Sequence, residues 1–335
     1  MSLMYSPIMV LMMSTLTLST LMAISSANWI LLWVAMELNL LSFIPILMQT
    51  KNHQEVEGSV KYFLAQALGS ALLLISSTSM WMPFSSTQIY LPLLLSTSLL
   101  LKLGSVPCHF WYPSVMNSIS WTSCLILSTW QKLAPISILA FLLVQKSMLF
   151  IVLAAGLNAL LGGIMGMNQS QMRTIMAYSS IGHIGWMLSL IVILKPTASI
   201  LYFIVYSMLI TPLFMAMNYF NTQHVKHFNS TSSNNIILYT LLATLLMSLG
   251  GLPPLTGFMP KLMTLIMLME TMKLLALLLI LGSVMNLFFY LSIVINAMFL
   301  TPQLKDWLPL NKGTPSNLIV MLSTLSLGLA PLIMI

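Results

Sequence analysis

The chain reads as long apolar stretches separated by short polar or Pro/Gly punctuation. Apolar runs fall at 3–24, 27–48, 58–80, 88–106, 121–144, 148–167, 172–194, 197–219, 236–270, 273–299 and 317–335. About 20 apolar residues suffice for a helix to cross the hydrocarbon core of a bilayer, so the pattern predicts an all-α integral membrane protein of about eleven transmembrane helices. The most polar stretches, 49–58 and 221–235, are too short to fold alone and read as loops. No linker or low-complexity tract divides the chain, which predicts one membrane domain over 1–335.

Two of the eleven runs are irregular. Span four proceeds to Leu103, then meets Gly104-Ser105-Val106-Pro107, with a further apolar piece at 110–115. Span nine is interrupted by Gly250-Gly251-Leu252-Pro253-Pro254-Leu255-Thr256-Gly257; proline removes a backbone donor and clashes with the preceding turn. At about 1.5 Å per residue, a run of that length is too long for one straight crossing. Interrupted helices persist within a membrane only where protein or water satisfies the freed backbone. The two breaks lie five spans apart. Two successive five-helix units, about 1–144 and 148–299 and followed by a last helix at 317–335, would have opposite topology and carry the break at the same position. That pattern points to inverted-repeat transport folds with the pathway at the breaks, although the halves show no direct sequence identity.

Composition agrees: 59% of the 335 residues are hydrophobic and 5% charged, against about 25% charged in a soluble domain. Soluble, disordered and nucleic-acid-binding classes are excluded. The net charge of +7, from 12 Lys+Arg against 5 Asp+Glu, is spread too thinly to form a basic stripe. Cys108 and Cys124 are too few for a disulfide framework or an iron–sulfur cluster, and Cys108–His109 lack metal-ligand spacing. They read as small hydrophobes. No Gly-rich phosphate loop or paired haem histidines occur, so the chain is expected to bind no cofactor and no metal. The N-terminal Met1-Ser2-Leu3-Met4 has no basic region, and insertion is expected to use the first hydrophobic helix. Lys51, Arg173, Lys226, Lys305 and Lys312, with Lys61 near the edge, would lie on one face, against Lys146, Lys195 and Lys273 on the other. Cation bias marks the cytoplasmic or matrix side, which predicts an N-terminus inside and a C-terminus outside.

Most charges sit near loops or span ends, where they are solvated or snorkel; Glu55, Glu57, Glu270 and Asp306 are read this way too. Four do not. Glu37 is at the centre of span two and Lys132 at the centre of span five; Lys102 precedes the first break and Lys261 follows the second. A charge at bilayer depth costs at least about 2.5 kcal/mol. Four cost on the order of 10 kcal/mol, comparable to the net stability of a protein. They must pair or line a wet cavity. A Glu–Lys pair that pins helices would account for Glu37 and one lysine, leaving two lysines without an acidic partner in the membrane. Desolvation disfavours an ammonium and a nearby carboxylate restores it, so a lysine whose carboxylate approaches or recedes can load and release a proton. His183, central in span seven, occupies in the second unit the place of Glu37 in the first. It reads either as a relay member, since imidazole titrates near neutral pH, or as a satisfied core histidine. Tyr178, Ser179 and Ser180 either hold waters or bond to their own helical turns.

The segments NWILLWVAMELNLLSFIP (28–45), STWQKLAP (128–135), RTIMAYSSIGHIGW (173–186) and GGLPPLTGFMPK (250–261) resemble the NADH dehydrogenase subunit 2 family, the mitochondrially encoded antiporter-like membrane subunits of respiratory complex I. The order and spacing of these blocks agree over almost the whole chain. Thirty methionines also fit mitochondrial codes that read an extra codon as Met. The resemblance implies an antiporter-like fold in the mitochondrial inner membrane, with the N-terminus on the matrix side and the C-terminus in the intermembrane space. It implies a proton relay of Glu37 and Lys102 as a coupled pair, Lys132 as the central lysine, His183 on the polar axis, and Lys261 facing the next proton-carrying subunit. Partners would be neighbouring antiporter-like subunits and membrane lipids, and flavin and iron–sulfur clusters would belong to other subunits of an NADH:ubiquinone reductase. The sequence departs from the family at Ser114, where an acidic residue is expected, and at Cys108, in place of an aromatic one; no role of that loop carboxylate carries over. A free-standing cation/proton antiporter is the main alternative. A helix bundle whose lysines only bind lipids or partners is the third.

Overall fold

A computed structural model describes residues 7–49, 52–79, 91–142, 147–220, 236–253, 255–299 and 315–328. Lys51, Lys146, Lys226, Lys305, Asp306 and Lys312, with the 221–235 loop, lie outside the described residues. Among the described residues the structure is helical, with eight helices long and apolar enough to cross a membrane and three shorter apolar ones.

The chain forms two compact units, residues 1–154 with 194–196, and 155–193 with 197–335. In the first, α1 (Pro7–Ser25) and α2 (Trp29–Leu47) pack together, and α2 packs on α3 (His53–Ser79). Helix α4 (Leu91–Leu103) lies against α3, as does the short α5 (Trp111–Ser118) that follows the break. Helices α6 (Trp121–Ser128) and α7 (Trp130–Leu142) complete this unit, α7 touching α1 and α4. Only 22% of the α1 span is buried, which makes it an outer helix with apolar residues such as Ile8, Leu18 and Leu21 exposed. Helix α8 (Met148–Met167) runs through the boundary between the units.

The second unit is built around α9 (Met172–Val192), 94% of whose span is buried. A helix enclosed on all sides has no use for a polar face, which is why α9 reads as apolar or small all round. Helix α13 (Lys273–Phe299) packs on α9, and so does α12 (Phe258–Thr271). Helix α11 (Ile236–Gly250) packs on α13 and on α14 (Pro315–Gly328), and α10 is Pro196–Phe220. Small residues let α8 and α9 approach closely. A Cβ on Gly162 would stand 2.8 Å from the Gly182 nitrogen and the Tyr178 carbonyl oxygen, backbone atoms with no freedom to yield.

The structure refines three points of the sequence reading. Span five, Trp121–Phe141, carries one irregular turn: α6 ends at Ser128 and α7 starts at Trp130. Thr129 adopts φ −110°, ψ −73°, and both its N–H and its hydroxyl donate to the Leu125 carbonyl, at 3.0 and 2.7 Å. Pro135 sits inside α7 and lacks the N–H that would bond to the Gln131 carbonyl, so the joint falls next to the turn bearing Gln131 and Lys132. Second, α3 begins at His53, so Glu55 and Glu57 belong to a helix rather than a loop. Glu57 holds Lys61 at 2.6 Å, both exposed as expected. Glu55 is instead 5% exposed, in the first helical turn, where unpaired N–H groups favour a carboxylate. Third, Ser179 and Ser180 donate to the carbonyls of Met176 and Ala177, at 2.8 and 2.7 Å. The bond to its own turn, one of the two readings left open, is present at both serines.

Candidate proton-transfer site

Both expected breaks are present, and each is a helix end of one type. After α4, Gly104 takes φ +70°; its N–H bonds to the Leu101 carbonyl, and that of Ser105 to the Leu100 carbonyl, at 3.1 and 3.0 Å. After α11, Gly251 takes φ +86°; its N–H bonds to the Ser248 carbonyl and that of Leu252 to the Met247 carbonyl, at 3.0 and 3.4 Å. This is the Schellman pattern, which needs a left-handed residue just past the helix and so favours glycine. The helix stops at glycine, ahead of the prolines whose missing donors suggested the breaks.

A Schellman end leaves further carbonyls to satisfy, and the protein supplies side chains for them. At the first break Trp111 Nε1 donates to the Leu101 carbonyl and Gln66 Nε2 to the Lys102 carbonyl, both at 3.1 Å. At the second, Lys261 Nζ donates to the carbonyls of Leu249 and Gly250, at 3.0 and 2.8 Å. All four last carbonyls of α11 are thereby satisfied. Lys261 reaches them because Pro260 occupies the first turn of α12, where a missing N–H costs nothing.

The four intramembrane charges can now be placed. Lys102 lies in the last turn of α4 and is 6% exposed; its stem runs along Gly69 of α3, where a Cβ would stand 3.0 Å from Cγ. Glu37, half-buried on α2, acts electrostatically on Lys102, but among the described residues the two make no direct ion pair within 4.0 Å. Lys132 is 2% exposed, with Nζ 4.5 Å from the centroid of the Tyr112 ring. Lys261 is 5% exposed and caps α11. A desolvated cation gains about 2 kcal/mol from an aromatic face, and a helix C-terminus carries about half a negative charge. These are soft counter-charges. Each lowers the cost of holding an ammonium in a desolvated site.

The sequence did not reveal the polar frame of the first unit. Gln131, next to Lys132, donates from Nε2 to Asn39 Oδ1 at 3.0 Å and accepts from the Tyr62 hydroxyl at 3.2 Å. This chain ties α7 to α2, two residues beyond Glu37, and to α3. Tyr62 in turn packs edge-on against Phe43 and Trp111, with ring centroids 5.2 and 5.9 Å away. A buried Gln and Asn in apolar helices were the available signal, since each requires a partner.

In the second unit His183 Nδ1 lies 3.0 Å from the Tyr202 hydroxyl, and the imidazole rests on Tyr206, centroids 4.9 Å apart. A cavity of about 10 Å³, near the size of one water, is lined by His183, Tyr202, Tyr206, Leu249, Gly257 and Pro260 among others. His183 thus faces the break that Lys261 caps. The structure sets Glu37 within electrostatic reach of Lys102 in the first unit, with Lys132 over the Tyr112 ring; in the second unit His183 shares a cavity with Pro260, the residue before Lys261. Among the described residues no group of three or more His, Cys, Asp or Glu could hold a metal ion.

Residues 26–288 match the family model described as NADH:quinone oxidoreductase/Mrp antiporter, TM. The NADH-ubiquinone oxidoreductase chain 2 of Lumbricus terrestris is 63% identical over 330 residues, 98% of this chain and 98% of that protein. Two solved structures share the fold: respiratory complex I from Thermus thermophilus (TM-score 0.83, 21% identity, 96% of this chain and 77% of that one) and the Mrp complex of a Dietzia species (TM-score 0.80, 17% identity, 98% and 74%). Two half-helix ends facing buried lysines, on a fold common to these membrane complexes and with close identity along its whole length, identify the chain as a member of the NADH-ubiquinone oxidoreductase chain 2 family of antiporter-like multi-pass membrane proteins.

Proposed function

We propose that this chain is a proton-translocating membrane subunit of mitochondrial complex I, in which Glu37, Lys102, Lys132, His183 and Lys261 load and release the transported protons. Electron transfer from NADH to ubiquinone, with its flavin and iron–sulfur clusters, belongs to other subunits; neighbouring antiporter-like subunits and inner-membrane lipids are the partners of this one. The observation that carries the reading is the manner in which the three buried lysines are held. Each faces a soft counter-charge: a carboxylate beyond direct pairing distance, an aromatic face, or a pair of helix-end carbonyls. A merely structural bundle would gain from tight ion pairs or from apolar side chains.

Lys132→Met tests the reading. A buried charge is replaced by an apolar chain of similar length, so assembly is expected to persist while protons moved per electron fall. Full stoichiometry in an equally assembled Lys132→Met complex would favour the structural bundle. A free-standing exchanger would instead move protons in liposomes without redox partners.

The cation bias of the sequence supports an N-terminus in the matrix and a C-terminus in the intermembrane space. In mitoplasts, external protease is then expected to spare the 49–58 segment and remove a tag placed after Ile335. The opposite pattern would reverse this orientation.

A further inference from the structure

A neutral imidazole carries its proton on one nitrogen, and the hydrogen bond at the other nitrogen selects which. His183 is 5% exposed and Tyr202 2%, so no bulk water competes for the contact of 3.0 Å between Nδ1 and the phenol oxygen. A phenol keeps its proton at neutral pH, its reference pKa being about 10. Imidazole nitrogen is the stronger acceptor of the pair, so the favoured arrangement beside a neutral ring aims the phenol O–H at the Nδ1 lone pair, with the ring proton on Nε2. Tyr206, four residues along α10 and so on the same face, lies against the imidazole and fixes its plane.

The geometry points to Tyr202 as the proton-transfer partner of His183, setting its tautomer and delivering the proton at Nδ1. The step rests on the relay reading above and balances simply. The one vacant lone pair of the neutral ring is at Nδ1, covered by the Tyr202 hydroxyl. An arriving proton bonds to the phenol oxygen as the original O–H proton passes to Nδ1, so the phenol stays neutral and His183 becomes the imidazolium. In that state Nδ1–H donates to the Tyr202 oxygen. Loss of the Nε2 proton then sends the charge onward and leaves a neutral ring protonated on Nδ1; a charge-neutral tautomer shift returns that proton to Nε2 before the next uptake. Among the described residues, the titratable groups near the ring include Tyr202 and Tyr206 of α10, Tyr290 of α13 acting electrostatically on Tyr202, and Lys261 of α12 next to the cavity-lining Pro260.

The experiment compares wild type, Tyr202→Phe and His183→Gln in the assembled complex in sealed membranes. It measures protons per electron and the imidazole ring bands in redox-difference infrared spectra, which distinguish the two neutral tautomers and the cation. Wild type is expected to show neutral His183 protonated on Nε2, with bands that vanish in His183→Gln. Tyr202→Phe, which deletes one oxygen and keeps the packing, is expected to lower pumping as far as His183→Gln does, and to yield a mixture of tautomers. Full pumping in Tyr202→Phe together with loss in His183→Gln would overturn the role of Tyr202 while leaving the relay intact. Full pumping in both would remove His183 from the relay, and this inference with it. The wild-type spectrum decides even if Tyr202→Phe fails to assemble: a neutral His183 protonated on Nδ1 in the resting state, before turnover, rules the proposal out.

Discussion

Lys261→Met is expected to reduce the amount of assembled complex as well as its pumping, whereas Lys261→Arg should restore assembly alone. Nζ of Lys261 provides the donors for the Leu249 and Gly250 carbonyls at the end of α11. Methionine donates nothing. Each buried acceptor left unpaired costs about 1–3 kcal/mol, so the pair costs roughly 2–6 kcal/mol, a large part of a typical net stability of about 5–15 kcal/mol. Arginine keeps a positive charge and several donors at the negative end of the helix, so α11 remains capped. Its guanidinium does not release a proton, so transfer through this position stops. The measurements are the level of assembled complex on native gels and protons per electron in sealed membranes. Normal assembly of Lys261→Met would show that the cap is dispensable; pumping by Lys261→Arg would show that no proton leaves this position.

Glu37→Gln should leave a complex that assembles but moves fewer protons. Glu37 acts on Lys102 through space rather than through a direct ion pair. Its removal therefore breaks no hydrogen-bonded bridge, and glutamine keeps the shape. What is lost is the field that helps Lys102 hold a proton in a desolvated site. Removing a group that transfers a proton slows a step by about a hundredfold or more, so the route through this subunit should close while routes elsewhere in the complex continue. Glu37→Asp retains the charge at shorter reach and should keep part of the activity. Lys102→Met should match Glu37→Gln, and the double variant should be scarcely worse than either, because residues acting as a unit are non-additive. Protons per electron and NADH oxidation, compared at equal complex content, decide this. Wild-type stoichiometry in Glu37→Gln would remove the pair from the mechanism.

Some of these contacts were legible in the chain itself. Apolar runs of about twenty residues fix where helices can span, since length and hydropathy are local properties. Gly/Pro punctuation at 104–107 and 250–257 marked the breaks, because proline removes a backbone donor. Four charges amid apolar runs marked the candidate stations, because their desolvation cost depends on depth and can be read along the sequence.

What offsets those charges was decided by tertiary structure. Nothing in the string STWQKLAP places the Tyr112 ring beneath Lys132, because that contact joins α5 to α7 across twenty residues. Sequence reasoning sought acidic partners for the buried lysines and did not foresee these contacts. The fold supplied an aromatic face and two helix-end carbonyls instead, counter-charges with no signature in residue type. The Tyr62–Gln131–Asn39 chain and the His183–Tyr202 bond likewise join separate helices. The sequence by itself determined where the apolar helices lie, where two of them break and which charges stand amid apolar runs. The partners that make those charges tolerable and able to exchange protons were left to helix packing, since a hydrogen bond or ring contact between helices depends on their rotation and separation, and neither is encoded in the residues of one helix.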